Sequence, residues 1–307
     1  MSRRAQLLNF WLRWTEKPHL ARIESPLRLR RSFELKSRLF FRRARGTRWR
    51  ADEVGGVPVL RIEPWPPAAP GAPCLLYLHG GGYMFGSPRT HLAMVSQIVA
   101  RTGFSACLPR YRLAPEHPFP AAVEDALAVL GALGHAPSGV ILGGDSAGGG
   151  LALSVLAEAL ARGGPVPRAC FALSPLTDLT FSGESVRGNA RADVMLPAAR
   201  AEEMAALYLA DTPRDDPRAS PLFARFEGAP PVWLAVGDTE ILLDDTRRME
   251  ARLRAAGVAV EEVIARDLPH VWPFFHGYIP EAGQTLDALA GWLAGVATRE
   301  EARSGDS

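Results

Sequence analysis

A serine flanked by glycines lies where an apolar run meets a helical pattern. The residues are Gly144-Asp145-Ser146-Ala147-Gly148, with GVIL before them and LALSVLAEAL shortly after. In this context the G-x-S-x-G pattern predicts a sharp strand-to-helix turn that presents Ser146 as a nucleophile. The glycines permit the strained turn and the close approach of a substrate. The chemistry is acyl transfer, with the Ala147 N–H directed towards developing negative charge at the helix start.

A glycine-rich helix start can also bind a phosphate or simply pack against its neighbours. Phosphate loops carry a lysine within the turn, and this segment has none. We therefore favour the nucleophile over the phosphate site.

A second glycine run, Gly80-Gly81-Gly82, follows His79 directly after the apolar LLYL. Consecutive glycines leave their backbone N–H groups free of side chains, as the oxyanion of a tetrahedral intermediate requires. His79 precedes the nucleophile, whereas the chain order in sheets of this kind is serine, acid, histidine. We therefore expect His79 to support the loop through its ring nitrogens and not to act as the base.

The base is found by elimination among the seven histidines, because only His270 and His276 follow Ser146. His270 comes shortly after the final apolar run, where a loop returns to the edge of the sheet that carries the nucleophile. His276 lies six residues further on and is predicted to be a packed or surface residue. We predict that His270 exchanges protons with Ser146.

The acid is expected after the preceding apolar run, VWLAVG, where the stretch AVGDTEILLDDT contains four carboxylates. Asp244 and Asp245 fall in the first turn of a predicted helix, where acids favour the helix dipole. Asp238 follows the strand directly and is also typical of a turn or cap. These patterns leave Asp238, Glu240 and Asp244 open as the acid.

Short apolar runs alternate with longer helical patterns from about Thr47 onward. This alternation predicts an α/β fold with a mostly parallel sheet of about eight strands and helices on both faces. The predicted strands are Arg48–Glu53, Val57–Glu63, Pro73–Leu78, Ser105–Arg110, Gly139–Gly143, Arg168–Leu173, Val232–Val236 and Val258–Ala265.

Two segments interrupt this alternation, residues 1–44 before the first strand and residues 180–226 between two strands. Long insertions at the functional edge of such a sheet are often lids or substrate-binding elements. We predict that the two segments form one helical cap over a core of residues 45–179 and 227–298. The polar residues 299–307 are expected to form a flexible tail.

Three motifs in order resemble the hormone-sensitive lipase family of bacterial (type IV) α/β-hydrolase esterases: HGGG, then YRLAPEHPFPAAVED, then GDSAGG. The resemblance extends from about Pro73 to Phe275. It implies an α/β-hydrolase fold, a cap built from the N-terminus and an insert, and ester hydrolysis without a cofactor. It also implies that the oxyanion donors are the N–H groups of Gly81, Gly82 and Ala147.

The resemblance also ranks the candidate acids. Members of the family carry D-P-L-x-D, where the first acid orients the histidine, and residues 240–244 read Glu-Ile-Leu-Leu-Asp. This register favours Glu240, although glutamate and isoleucine replace the usual aspartate and proline. Asp238 would need a shift of two residues and remains the alternative acid.

The first fifty residues are strongly basic, with arginines crowded between Arg3 and Arg50. Such a segment can bind nucleic acid or an anionic membrane, but charge runs more often form a solvated helical face, which we predict here. Apolar residues at helical spacing are expected to pack against the core or line a pocket. They are Leu7, Trp11, Trp14, Leu27, Leu29, Phe33, Leu35, Leu39 and Phe40.

No apolar run approaches the roughly 20 residues of a membrane span, and no secretory signal is recognisable. The three cysteines lie in apolar runs, as reduced core thiols do, so a cytoplasmic protein is expected. No ligand spacing for a metal appears. We predict no nucleic-acid partner and no integral membrane association, and the strand Val258–Ala265 is a candidate contact for a homodimer.

These patterns predict a serine carboxylic ester hydrolase that forms an acyl-enzyme. Apolar cap residues favour an apolar acyl or alcohol group, and the resemblance implies short to medium acyl chains. Those cap residues are Trp11, Trp14, Phe33, Met195, Met204 and Leu207. Lactone or amide hydrolysis and acyl transfer to an alcohol would use the same site. A non-catalytic small-molecule receptor on this fold is a further alternative.

Overall fold

An eight-stranded sheet forms the centre of the computed structural model, which describes residues 1–23, 25–134, 136 and 138–305. The strand order is β1-β2-β4-β3-β5-β6-β7-β8. Strand β2 is antiparallel to both neighbours, and every other pair from β4 to β8 is parallel. The strands are β1 (Thr47–Val54), β2 (Val57–Pro64), β3 (Cys74–Leu78), β4 (Ser105–Pro109), β5 (Val140–Asp145), β6 (Ala169–Leu173), β7 (Val232–Gly237) and β8 (Val260–Ala265). The predicted α/β class is confirmed.

Helices connect the strands and cover the sheet. They are α1 (Arg3–Trp14), α2 (Glu16–Arg22), α3 (Pro26–Phe40), α4 (Pro88–Thr102), α5 (Ala121–Leu133), α6 (Ala147–Arg162), α7 (Ser185–Gly188), α8 (Ala201–Leu209), α9 (Leu243–Ala255) and α10 (Pro280–Gly305). Short 3-10 turns are formed by Ala198–Arg200, Pro221–Phe223 and Trp272–Phe275.

Two hydrophobic cores lie on opposite faces of the sheet, because side chains alternate along each strand. In β3, Leu76 and Leu78 belong to the core beneath α5, α6 and α9, whereas Leu75 and Tyr77 belong to the core beneath α4 and α10. The middle strands are buried on both faces, which explains why their sequences are continuous apolar runs.

Helix α10 anchors the segment that follows β8. Trp272 is fully buried, and its indole N–H donates a 2.8 Å hydrogen bond to Thr285 Oγ1 on this helix. The helix continues to Gly305, so residues 299–305 of the predicted tail are helical, while residues 306 and 307 lie outside the described residues. Alanine, glutamate and arginine are good helix formers, and nothing in TREEAR stops the helix at Thr298.

The two segments predicted as a cap contact each other. Arg13 of α1 donates to the carbonyl oxygens of Arg191 and Ala192, and Lys17 of α2 donates to those of Ala190 and Asp193. These contacts join the N-terminal helices to the start of the insert, and both segments lie at the carboxyl edge of the parallel strands.

The prediction that the N-terminal apolar stripe packs inward is wrong for most of its members. Leu29 is buried and Phe33 is half-buried, but the other seven residues are exposed. They are Leu7, Trp11, Trp14, Leu27, Leu35, Leu39 and Phe40, between 44% and 70% exposed. Helical spacing shows which residues share a face, but the fold decides whether that face is covered.

Strand β8 lies at one end of the sheet, with only β7 beside it. The homodimer contact predicted for this strand stays a prediction. Among the described residues, no helix is both long and apolar enough to cross a membrane.

We expect Leu286→Ala to lower the free energy of unfolding by about 2–5 kcal/mol, because it would leave a cavity in the core beneath α10. Leu286 is 0% exposed, whereas Val166 is 49% exposed and serves as the control. Val166→Ala is expected to change stability by less than about 0.5 kcal/mol. Urea denaturation followed by circular dichroism measures both free energies of unfolding. Equal losses of stability in the two variants would contradict the placement of Leu286 in the core.

Candidate active site

Ser146 lies in the turn between β5 and α6, with φ 54° and ψ −126°. A residue other than glycine in this region carries about 1–3 kcal/mol of strain and persists only where its surroundings hold it. They do so here through the backbone, because the Ser146 N–H donates to Leu173 O at 2.8 Å and its carbonyl accepts from Leu176 N at 3.0 Å. The half-buried side chain therefore projects from a fixed turn.

The two glycines of the motif are required by close backbone contacts around this turn. A Cβ on Gly144 would lie 2.2 Å from Gly148 O, and one on Gly148 would lie 2.2 Å from Leu78 O. Strand β3 and the first turn of α6 thus approach each other so closely that neither Gly144 nor Gly148 could carry a side chain.

The glycine loop after β3 presents free backbone donors to the same region. Gly81 and Gly82 have φ values of +123° and +57°, and the Gly81 carbonyl accepts from the N–H groups of Met84 and Phe85. Among the residues that the structure describes, the N–H groups of Gly81, Gly82 and Ala147 find no intramolecular acceptor. They remain available to an anionic oxygen.

His79 contacts the glycine loop that it was predicted to support. Its Nδ1–H donates to Gly80 O at 2.9 Å, and its ring stacks on Tyr111 with a centroid separation of 4.2 Å. Burial, followed by the nearby His91, lowers the pKa of His79 to about 3. The ring is therefore neutral at physiological pH.

A buried carboxylate directly before Ser146 joins β5 to the glycine loop. Asp145 Oδ1 accepts from Tyr77 Oη at 2.7 Å and from Gly80 N at 3.1 Å, and His91 Nε2 lies 3.2 Å away. Burial acts to raise the pKa of Asp145, but the charge and hydrogen bond of His91 and the bond from Tyr77 lower it overall. Sequence reasoning missed this pair. The signal was an acid directly after a continuous apolar strand, where a buried charge needs partners.

His270 and Glu240 form a buried pair in the loops after β8 and β7. The Nδ1–H of His270 donates to Glu240 Oε2 at 2.6 Å, and the two side chains are 4% and 1% exposed. Burial acts to lower the pKa of His270, but the adjacent charge and hydrogen bond of Glu240 raise it above the ordinary value. The geometry thus favours Glu240 over Asp238 as the partner of His270.

Glu240 is fixed through its other oxygen. Oε1 accepts from Gly237 N at 2.6 Å and from Ser174 Oγ at 2.8 Å, and Ser174 Oγ also accepts from Val271 N at 3.1 Å. Ser174 follows β6 with φ 47°, and sequence reasoning did not identify it. Its only signal was its position, directly after a strand and before a proline.

The other three acids of residues 235–246, which are Asp238, Asp244 and Asp245, accept hydrogen bonds from backbone N–H groups. Asp238 Oδ1 accepts from Asp267 N at 2.7 Å and ties the two loops together. Asp244 accepts from Ser185 N at 2.8 Å. Asp245 accepts from Thr177 N at 2.7 Å and from Asp178 N at 3.0 Å, so α9 anchors the residues that lead into the insert.

Ser146, His270, Gly81 and Gly82 all line one cavity of about 210 Å³. Its walls are mostly apolar and come from α2, α3, the insert and the loop after β8. The apolar lining consists of Leu20, Ile23, Leu29, Phe33, Phe41, Met84, Phe85, Leu176, Phe181, Met195, Leu196, Met204, Leu207, Ile241, Leu242, Val271, Phe274 and Phe275.

Four of the six cap residues predicted to contact substrate therefore line the cavity, and Trp11 and Trp14 do not. Met204 of α8 comes closest to the glycine loop. A Cβ on Gly82 would lie 2.9 Å from its sulfur. The insert thus forms one wall directly beside the free backbone donors.

Comparison with known proteins agrees with this architecture. Residues 75–274 match the model of a family described by the alpha/beta hydrolase fold. An acetyl-hydrolase of Streptomyces hygroscopicus is 38% identical over 74% of this chain and 77% of its own length. An esterase of Acinetobacter venetianus is 34% identical over 70% of this chain and 73% of its own.

Solved structures agree over nearly the whole chain. The crystal structure of the esterase EstE5 soaked with ethyl alcohol superimposes with a TM-score of 0.91 at 36% identity, covering 97% of this chain and 100% of its own. An esterase from the bacterial hormone-sensitive lipase family gives 0.87 at 37% identity, with 97% and 99% covered. The chain belongs to the hormone-sensitive lipase family of α/β-hydrolase esterases, and it is an esterase.

We expect Asp245→Asn to gain stability relative to the wild type as the pH rises from 5 to 8. Burial, with the nearby Asp178, raises the pKa of Asp245 to about 7 from an ordinary 3.8, so the folded state binds a proton that the unfolded state releases. The contribution of Asp245 to the stability of the wild type is fully present below about pH 4 and is lost as the pH rises through about 7.

Asparagine retains an oxygen for the N–H groups of Thr177 and Asp178 but does not titrate. The difference in unfolding free energy between variant and wild type should move in favour of the variant by on the order of 1–4 kcal/mol over this range. Urea denaturation at both pH values measures it. A difference that is constant with pH would contradict the raised pKa.

Proposed function

We propose that the chain hydrolyses carboxylic esters through an acyl-enzyme formed on Ser146, with His270 as the base and Glu240 as the orienting acid. The observation that carries this proposal is the 2.6 Å hydrogen bond from His270 Nδ1 to Glu240, beside the cavity that Ser146 also lines. With Nδ1 occupied, Nε2 is the ring nitrogen that can take a proton.

In the first half of the reaction, Ser146 Oγ attacks the ester carbonyl carbon while its proton passes to His270 Nε2. The carbonyl oxygen becomes an oxyanion that accepts from the N–H groups of Gly81, Gly82 and Ala147. The bond to the alcohol oxygen then breaks, and His270 returns the proton to the leaving alcohol. Water repeats the same steps on the acyl-enzyme and releases the carboxylic acid.

A glutamate can perform the role of the family's aspartate because the loop after β7 accommodates its extra methylene group. Ser174 and Gly237 hold Oε1 and leave Oε2 for His270. Gly237 has no side chain to occupy this space, and a Cβ there would lie 2.3 Å from Leu268 O and 3.1 Å from Glu240 Oε1. Imidazolium formed during the reaction is then stabilised by a fixed negative charge.

The cavity favours small apolar esters of short to medium acyl chain. Its volume of about 210 Å³ is below the roughly 300–1,000 Å³ typical of sites for drug-sized ligands. Met204 and Phe33 belong to the apolar wall, and a long chain would have to displace such side chains. The relative from Streptomyces hygroscopicus is named an acetyl-hydrolase, which agrees with a short acyl group.

We expect Glu240→Gln to reduce kcat by roughly 10⁴-fold, the loss seen when a triad aspartate is changed to its amide in a serine protease. Asp238→Asn is the matched control on the same loop. It should retain most of the activity, because an asparagine oxygen can still accept from Asp267 N. The opposite ranking in p-nitrophenyl acetate hydrolysis would assign the acid to Asp238.

The pH profile provides a second readout for Glu240. Catalysis requires neutral His270, so kcat/KM should fall as the pH drops through its raised pKa. Replacing Glu240 removes the charge that raises this pKa, and the acid limb should therefore move to lower pH in Glu240→Gln. An acid limb at the same pH in both enzymes would show that Glu240 does not act through His270.

The proposed reaction is tested with p-nitrophenyl esters of increasing acyl length, with wild type and Ser146→Ala compared. Turnover should be greatest for short to medium acyl chains, decline for long chains, and disappear with Ser146→Ala. An organophosphonate should label wild type at Ser146 and leave the variant unlabelled. Labelling at another residue would overturn the mechanism, and undiminished turnover of long chains would overturn the substrate assignment.

A further inference from the structure

Helix α1 exposes its large apolar side chains to solvent. Leu7 is 70%, Phe10 66% and Trp14 68% exposed, whereas the buried side of the helix consists of Ala5 and Leu12. An amphipathic helix normally buries its larger apolar residues and exposes its polar ones. Here the larger apolar side faces outward, as in contact sites for a partner or a membrane.

The exposed surface continues onto the end of α3. Trp11 and Phe40 lie with ring centroids 6.2 Å apart, and the rings of Phe10 and Trp14 are 6.4 Å apart. We define the outer face as Leu7, Phe10, Trp11, Trp14 and Phe40. It is one continuous aromatic surface on two helices, and none of its members lines the cavity.

Arginines lie on the same segments as the outer face, without acids between them. Helix α1 contains three arginines and no acid, and the stretch LFFRRARGTRWR that contains Phe40 has no acid either. Arg3, Arg4, Arg42 and Arg43 form no ion pair with any carboxylate among the residues that the structure describes. Their charges are therefore available to an external anion.

We propose that the outer face docks on an anionic phospholipid surface. Tryptophan and phenylalanine with neighbouring arginines are the composition of helices that lie in the plane of a membrane interface. Each arginine close to an anionic leaflet strengthens binding about fivefold. A second copy of the chain fits less well, because a two-fold contact would bring the same unpaired arginines against each other.

The proposed docking on lipid differs from the sequence-based prediction that the basic N-terminal segment forms a solvated helical face. The arginines are solvated, but the aromatic residues between them do not turn inward. Helix α3, which ends with Phe40, also lines the cavity with Leu29 and Phe33, and α2 lines it with Leu20. Docking would thus bring the wall of the cavity close to the lipid surface, from which an apolar ester could enter. The docking itself does not depend on the proposed reaction.

The test is co-sedimentation of the full chain with vesicles of phosphatidylcholine alone or with one third phosphatidylglycerol. We expect binding to the anionic vesicles and much less to the neutral ones. Leu7→Gln combined with Trp14→Gln should weaken binding at least about tenfold, because two large apolar contacts are lost. Arg3→Gln combined with Arg4→Gln should also weaken it, by up to about 25-fold if both arginines contact the leaflet.

Val166→Gln, at a site 49% exposed and outside the outer face, is the matched control and should bind as wild type does. All variants should hydrolyse soluble p-nitrophenyl acetate at the wild-type rate, because none of these residues lines the cavity. Three outcomes would overturn the proposal. They are no binding to anionic vesicles, equal binding by the outer-face variants and the control, or a dimer in light scattering that Leu7→Gln/Trp14→Gln dissociates.

Discussion

The hydrogen bond between His270 and Glu240 is the contact on which the site depends. A carboxylate that is 1% exposed is stable only if its oxygens are paired, and each oxygen of Glu240 has its own partners. One oxygen orients His270, and the other is held by Gly237 and Ser174. These four residues lie at the ends of three adjacent strands or in the loops after them, so the parallel sheet brings them together at one edge. The loops there cannot move independently without leaving a buried charge unpaired.

A second buried carboxylate performs the equivalent task on the other side of Ser146. Asp145 joins β5 to the glycine loop through Gly80 and is itself held by Tyr77 and His91. Ser146 therefore lies between two polar networks inside an otherwise apolar sheet edge. The strained backbone at Ser146 is tolerated because its hydrogen bonds to Leu173 and Leu176 and the close glycine contacts hold the turn.

The N-terminal helices have two different surfaces. Helices α2 and α3 line the cavity, together with Met204 of the insert. Helix α1 and the end of α3 expose aromatic rings to solvent, beside arginines that form no ion pair within the described part of the chain. The N-terminal segment thus contributes both to the wall of the cavity and to the surface that we propose docks on lipid.

The eight strands, the turn at Ser146 and the glycine loop could be predicted from the residues alone, because burial on both faces and backbone sterics restrict the residue types at those positions. Chain order reduced the candidate bases to His270 and His276, and the position after the final strand favoured His270. The sequence did not distinguish Glu240 from Asp238 by chemistry, since either carboxylate can follow a strand, and the preference for Glu240 rested on family register. Only the tertiary structure decided which acid contacts His270 and brought in Ser174 and the Asp145–His91 pair. Only the tertiary structure showed that α1 turns its aromatic side outward. Helical periodicity determines which residues share a face, but the packing of distant elements decides whether that face meets protein or solvent.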